Sequence, residues 1–260
     1  MSRHWTEELF LKHAELYRVL LEGMLARAED EARGVAGLLD AAGVEAGAVI
    51  LDLNCGIGRH AIHLAKLGYH VVGVDISPRL VERARELAAE HSVVDLTEFV
   101  VGDAREVADA LPGRNFDAVI SMFTSLGYYD EETDRLILRR CRDLTRAGGI
   151  FVLETGFRDS IARNFQPYGV FRVGSLLLLH EREFDLDTSR SRATWTFLEK
   201  KGSSYRLRAA VDLDHRLYSL HELISLFKQA GWRYCAAYRD FALREPSLDG
   251  NRLVIVADKI

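Results

Sequence analysis

Between Val49 and Asp75 the chain runs apolar strand, glycine turn, apolar helix, apolar strand, acid, an order that few folds accommodate. Val49 to Leu53 is strand-like. Asp52-Leu53-Asn54-Cys55-Gly56-Ile57-Gly58 supplies the turn, Ala61 to Leu67 is helix-like, and His70 to Val74 is a second strand-like run that ends at Asp75. Glycine is required where the backbone turns sharply from strand to helix and lies against a ligand, with no Cβ in the way. In a parallel sheet Asp75 then stands beside the first strand at the same edge. The segment reads as a mononucleotide-binding half, with a cofactor at the turn.

Glycine turns of this kind serve two rival ligands. Gly56, Gly58 and Ala61 fit the Gly-x-Gly-x-x-Ala form of the dinucleotide fingerprint, and Asp75 lies where an acid grips a ribose. The acids decide between them. Asp52 precedes the turn, Asp75 ends the second strand and Asp103 follows a third run, Phe99-Val100-Val101-Gly102, so three carboxylates are expected on one rim. A pyrophosphate charge about 6 Å from a carboxylate would cost roughly 3 kcal/mol per pair at an effective dielectric near 20. A ligand with a cationic centre gains instead. S-adenosylmethionine fits, with its sulfonium, ammonium, ribose and adenine and no phosphate.

Here the chain closely resembles the class I S-adenosylmethionine-dependent methyltransferases of the small-molecule type. The resemblance runs through Val49 to Gly58, Val71-Val72-Gly73-Val74-Asp75-Ile76-Ser77, Val101-Gly102-Asp103-Ala104, Phe116-Asp117-Ala118-Val119-Ile120 and Ala147-Gly148-Gly149, in the family's order. One departure is Asn54 in place of the first loop glycine; asparagine tolerates a left-handed backbone better than most residues. The resemblance implies that the backbone from Asn54 through Cys55 and Gly56 to Gly58 holds the methionine part, and that Asp52 orients the turn or reaches the ammonium through water. Asp75 takes the ribose hydroxyls. Asp103 accepts from the adenine amine, Ala104 donates to the ring through its amide, Ile76 packs on the adenine face, and Met122 packs from the other side. An aspartate at a strand end can also simply cap the next helix. Asp75 is freer for a ligand, because Ser77-Pro78 already supplies an N-cap and a first-turn proline.

Composition restricts the class without choosing within it. The 260 residues suffice for one large domain and an elaboration, and 48% hydrophobic with 28% charged residues fits a water-soluble globular chain. No apolar run is long enough to span a bilayer, and Trp5-Thr6-Glu7-Glu8 interrupts any signal-peptide pattern, so the cytoplasm is the expected compartment. Cys55, Cys141 and Cys235 have no metal-ligand spacing, so neither a disulfide nor a metal is expected. A formal charge of −5 argues against a broad nucleic-acid surface.

The expected architecture is a Rossmann-like, doubly wound α/β fold: a mostly parallel seven-stranded sheet with a reversed C-terminal hairpin and an inserted antiparallel β meander. Residues 1–45 read as a helical cover with an apolar stripe at Leu9, Leu16, Leu20 and Met24, on which Trp5 and Tyr17 are the residues to watch. Residues 46–156 alternate strand and helix as the cofactor-binding core. Residues 157–217 form the lid, with three strand-like runs at Leu176 to Phe184, Ala193 to Leu198 and Tyr205 to Leu217. Residues 218–260 complete the core: Ser219-Leu220-His221-Glu222 signals a capping box, Gly231 ends the helix, and two runs follow at Arg233 to Phe241 and Arg252 to Ala257.

The acceptor side is less determined. Methyl transfer is an in-line displacement, so the enzyme must chiefly align the reacting atoms and exclude water, whether the acceptor atom is N, O or C. The fourth strand ends Ser121-Met122-Phe123-Thr124, without the Asn/Asp-Pro-Pro-Tyr or Pro-Cys patterns used on nucleic-acid bases. Acceptor-side candidates are Tyr128 and Tyr129 on an aromatic lip, His180 and Arg182, which share one strand face, and, further, Arg158 and His215. Lid arginines Arg158, Arg182 and Arg216 hint at an anionic acceptor, although acids lie beside them. The reading is a methyltransferase acting on a small molecule. Its rivals are an NAD(P)-dependent oxidoreductase and an RNA-modifying or non-catalytic cofactor-binding module on the same fold.

Overall fold

The computed structural model describes residues 4–260. Seven strands form the main sheet: β1 Val49–Leu53, β2 His70–Asp75, β3 Thr97–Val101, β4 Phe116–Ser121, β5 Thr145–Gly156, β10 Arg233–Tyr238 and β11 Arg252–Asp258. Their spatial order is β10-β11-β5-β4-β1-β2-β3. The first five run parallel, and β11 enters antiparallel between β5 and β10. The order reverses beside β1, and at such a switch point two connections leave toward opposite faces and open a crevice at the strands' carboxyl ends.

Side-chain alternation divides the sheet between two cores. Ile50, Val71, Ile120 and Val152 face α2 (Leu25–Ala41), α3 (Arg59–Lys66) and α4 (Pro78–Glu90). Leu51, Val72, Val119 and Phe151 face α5 (Glu131–Asp143) and α7 (Leu220–Gln229), where Phe151 packs edge-on against Phe227 and Trp232. The predicted caps form. Ser77 accepts from Leu80 ahead of Pro78, and Ser219 and Glu222 close a capping box on α7.

The insert is larger than the three expected runs. Four antiparallel strands form it: β6 Tyr168–Val173, β7 Leu176–Asp185, β8 Arg190–Lys201 and β9 Ser204–Arg216. The unforeseen strand is β6, an edge strand whose side chains alternate between exposed and half-buried, which weakens its apolar signal. It follows the short helix α6 (Arg158–Arg163). One face of this sheet, through Leu176, Leu178, Phe197 and Val211, packs on Leu9 and Phe10 of the N-terminal turns and on Leu20 of α1 (Ala14–Glu22). The N-terminal helices are therefore wedged between lid and core, over the crevice. Among the described residues, no helix is long and apolar enough to cross a membrane.

Candidate functional site

The glycine turn after β1 is held by left-handed backbone at Asn54 (φ 60°), Gly56 (φ 57°) and Gly58 (φ 72°). Asn54 also donates from its side chain to the Ser125 carbonyl at 3.3 Å, tying the turn to the loop after β4. A Cβ on Gly58 would lie 2.7 Å from the Phe99 ring, so close helix–strand packing as well as φ demands glycine there. The turn forms one wall of a cavity at the carboxyl ends of the strands.

Asn54, Cys55, Gly56, Asp75, Ile76, Asp103, Ala104 and Met122 all line this cavity. Gly58 and Asp52 do not. The expectation that Asp52 shares the rim is corrected by strand alternation: it lies on the same sheet face as Ile50, under α3, and is 1% exposed. Neither of its oxygens has a hydrogen-bond partner, and burial raises its pKa to about 7, with Arg59 only partly offsetting this. Asp75 is buried at the cavity wall. Its Oδ2 accepts from the Gly56 amide and its Oδ1 from the Ser77 amide, both at 2.9 Å. Each oxygen keeps a lone pair, and burial raises this pKa to about 6.

Asp103 is differently placed. It caps the following turn by accepting from the Arg105 amide at 2.8 Å, and the Arg105 side chain grips both its oxygens, the closest contact being 2.6 Å. Arg105 in turn lies 4.5 Å over the Tyr129 ring. Asp103 faces the cavity as an ion pair with little acceptor capacity to spare.

The sequence reading missed a buried ionic cluster behind the turn. Glu31 of α2 accepts from Arg59 at 2.5 Å, from His60 at 3.0 Å and from Arg252 at 3.1 Å. Arg252 also pairs with Glu154 at 2.9 Å. Glu154 accepts from the Phe123 amide at 2.6 Å and so holds Phe123 and Thr124 at φ 64° and 60°. Two successive left-handed non-glycine residues cost of order 1–3 kcal/mol each, and such strain concentrates at functional loops. Arg59 and His60 line the cavity. One signal was available: a cation in the first turn of a helix opposes the helix dipole, so Arg59 needed a reason to be there.

The acceptor-side candidates separate. Tyr128 and Tyr129 line the main cavity, and Tyr128 also borders a smaller adjoining chamber with His215. Arg158 bonds to Ser189 and Asp159 away from both cavities. His180 packs against Trp195 and over Gly169. Arg182 lines a groove on the meander beside Glu181 and Glu183. Arg216 pairs with Glu131 and Glu222. None of the three lid arginines borders either cavity, so the hint of an anionic acceptor loses its support.

Residues 50–149 match the family model described as "Methyltransferase domain". These residues carry the pattern of a methyltransferase domain. The chain is 29% identical over 168 residues to the ubiquinone biosynthesis O-methyltransferase of Mesorhizobium japonicum, covering 60% of this chain and 63% of that protein. The alignment thus spans less than two thirds of that relative. It is 26% identical over 245 residues, 92% of each chain, to the dTDP-3-amino-3,4,6-trideoxy-alpha-D-glucopyranose N,N-dimethyltransferase of Streptomyces venezuelae. Its fold is similar to that of the CcbJ methyltransferase from Streptomyces caelestis, with a TM-score of 0.75 at 24% identity over 88% of this chain and 89% of that one.

The glycine turn and Asp75 on the cavity wall suit S-adenosylmethionine. Asp75 offers two lone pairs to a diol. Asp75, buried at the wall, favours a hydrogen-bond donor over a phosphate there.

The raised pKa values of Asp52 and Asp75 set a pH dependence. A carboxylate whose pKa rises on folding destabilises the ligand-free protein as pH climbs from about 4 toward 7. A ligand that needs the ionised form binds better over that same interval. With Asp75 near 6, affinity for S-adenosylhomocysteine is expected to be about tenfold weaker at pH 5 than at pH 7.5, with proton release on binding. Calorimetry in buffers of different ionisation enthalpy checks both, and a flat profile would show that Asp75 does not receive the ligand.

Proposed function

We propose that the protein transfers the methyl group of S-adenosylmethionine to a small-molecule acceptor. The observation that carries this reading is Asp75: a buried carboxylate on the cavity wall, fixed by the Gly56 and Ser77 amides. The backbone of Asn54, Cys55 and Gly56 holds the methionine end, Asp75 the ribose, and Ile76, Ala104 and Met122 flank the adenine beside Asp103. Bound there, the cofactor supplies an electrophilic methyl carbon. The chain's own residues then orient the acceptor and exclude water, which the N-terminal turns and the meander do by roofing the crevice.

A small acceptor is supported by the enclosed cavity and by the net charge of −5, which gives no electrostatic footprint for nucleic acid. The two named relatives also act, by their names, on small molecules, one by O- and one by N-methylation. Three unpaired cysteines suit a reducing cytoplasm. Calorimetry with S-adenosylhomocysteine and NADH, followed by a labelled methyl-transfer screen over metabolite, protein and tRNA fractions, tests the proposal. Binding of S-adenosylhomocysteine alone and label in the metabolite fraction are expected. Tight NADH binding, or label only in RNA, would overturn it.

A further inference from the structure

A second chamber adjoins the cofactor cavity and shares Phe10, Tyr17, Phe123 and Tyr128 with it. Trp5 and Trp195 extend its aromatic lining. Among the described residues, no aspartate, glutamate, lysine or arginine lines it. Beside the hydroxyl-bearing Tyr17, Thr124 and Tyr128, three nitrogen-bearing side chains line it, Trp5, Trp195 and His215. The buried Trp5 Nε1–H has no hydrogen-bond partner among the described residues. His215 bonds through Nε2 to the Leu126 carbonyl at 2.7 Å, and a carbonyl can only accept, so Nε2 carries the proton and Nδ1 presents a lone pair. Among the described residues nothing donates to that Nδ1.

Resting on the methyltransferase reading, we infer that this chamber binds the acceptor as an uncharged, ring-bearing nucleophile whose O–H or N–H donates to His215 Nδ1 while Trp5 Nε1–H donates to the same heteroatom. The charge follows from the lining. A carboxylate or ammonium buried there would lose its water without gaining a counter-charge, which costs several kcal/mol, whereas a neutral hydroxyl finds one donor and one acceptor already in place. Burial holds the imidazole neutral, its pKa lowered to about 4, so the lone pair is available throughout the physiological range. The position is fixed from outside the chamber as well. Gly127 accepts from the Arg216 amide at 2.8 Å, and a Cβ on Gly127 would sit 2.1 Å from the Arg216 carbonyl, so only glycine lets the β9 end approach the loop after β4. His215 is thereby set between lid and core, and its ring packs edge-on at 5.3 Å from Tyr128.

The test titrates the full chain, saturated with S-adenosylhomocysteine at pH 7.5, with phenol, aniline, toluene, benzoate and benzylamine. Calorimetry and tryptophan fluorescence report binding. Trp5 and Trp195 line the chamber, while Trp232 is buried in the distant core. Phenol and aniline are expected to bind at least tenfold more tightly than benzoate or protonated benzylamine. His215→Gln keeps a donor for Leu126 but removes the acceptor at the Nδ1 position. It should weaken phenol at least fivefold and leave toluene and S-adenosylhomocysteine unchanged, whereas His215→Asn, which restores an acceptor there, should retain phenol. If the glutamine variant does not fold, Trp5→Phe gives the same comparison of phenol with toluene through the other hydrogen bond. Charged probes binding as tightly as phenol, no saturable binding by any probe, or phenol affinity indifferent to both substitutions would overturn the inference. Repeating the titration without S-adenosylhomocysteine separates the two readings: selectivity for phenol in a protein that fails to bind S-adenosylhomocysteine would sink the cofactor assignment alone.

Discussion

Glu31→Ala is expected to destabilise the protein by about 3–5 kcal/mol, because it strips the counter-charge from buried cations. Arg59, at 4% side-chain exposure, would keep no anionic partner, and Arg252 would keep only Glu154. At roughly 2–4 °C per kcal/mol for a chain of this size, the melting temperature should fall by about 6–20 °C. Glu31→Gln, which keeps hydrogen-bond acceptance but not charge, should fall between the two. The sign of the pH dependence is fixed too. Its cations and the His60 hydrogen bond hold the Glu31 carboxyl far below its ordinary range, so its stabilisation is complete above about pH 4.5 and is lost only as the solution is acidified further. Thermal melts of both variants at pH 7 and pH 4 check this. A melting temperature unchanged at pH 7 would mean that the cluster is incidental to the fold and that Phe123 is held by other contacts.

How much of this was legible in the sequence follows the distance over which each feature is determined. The turn from Asn54 to Gly58, the Ser77-Pro78 cap and Asp75 are set within a few residues, and local backbone chemistry places them. Asp52 is also local, and its misplacement at the rim came from reading a strand-end acid without counting alternation from Ile50. Asp103 was placed correctly in space, but its partner two residues on, Arg105, is a matter of side-chain geometry that spacing does not give. The long-range features left no periodic trace. Glu31 and Arg252 are 221 positions apart, and Leu126 and His215 are 89 apart. What could be read was only that each is a polar residue in an apolar setting. The edge strand β6 was lost for a related reason: half its side chains face solvent, and Gly169 sits within it because the His180 ring lies against that position.

The second large effect separates two aspartates that look alike in sequence. Asp75→Ala should weaken S-adenosylhomocysteine binding by about 2 kcal/mol or more, some thirtyfold, because it removes a buried, charge-assisted acceptor for two hydroxyls. Asp103→Ala should cost no more than about threefold, since the oxygens of Asp103 are already occupied by Arg105, and a ligand contact there would compete with donors it already has. The variants also differ in their effect on the turn. Asp75 accepts from the Gly56 amide, so its loss frees one donor of the glycine loop, while Asp75→Asn can retain a carbonyl acceptor for one of the two amides. Asparagine should therefore preserve the melting temperature of the ligand-free protein and still lose most of the affinity, because half of its terminal group now donates where the ligand also donates. Calorimetry on all three variants at pH 7.5 makes the comparison. Equal losses at the two positions would mean that the Asp103–Arg105 pair opens on binding, and an Asp75→Ala protein with wild-type affinity would place the ribose elsewhere.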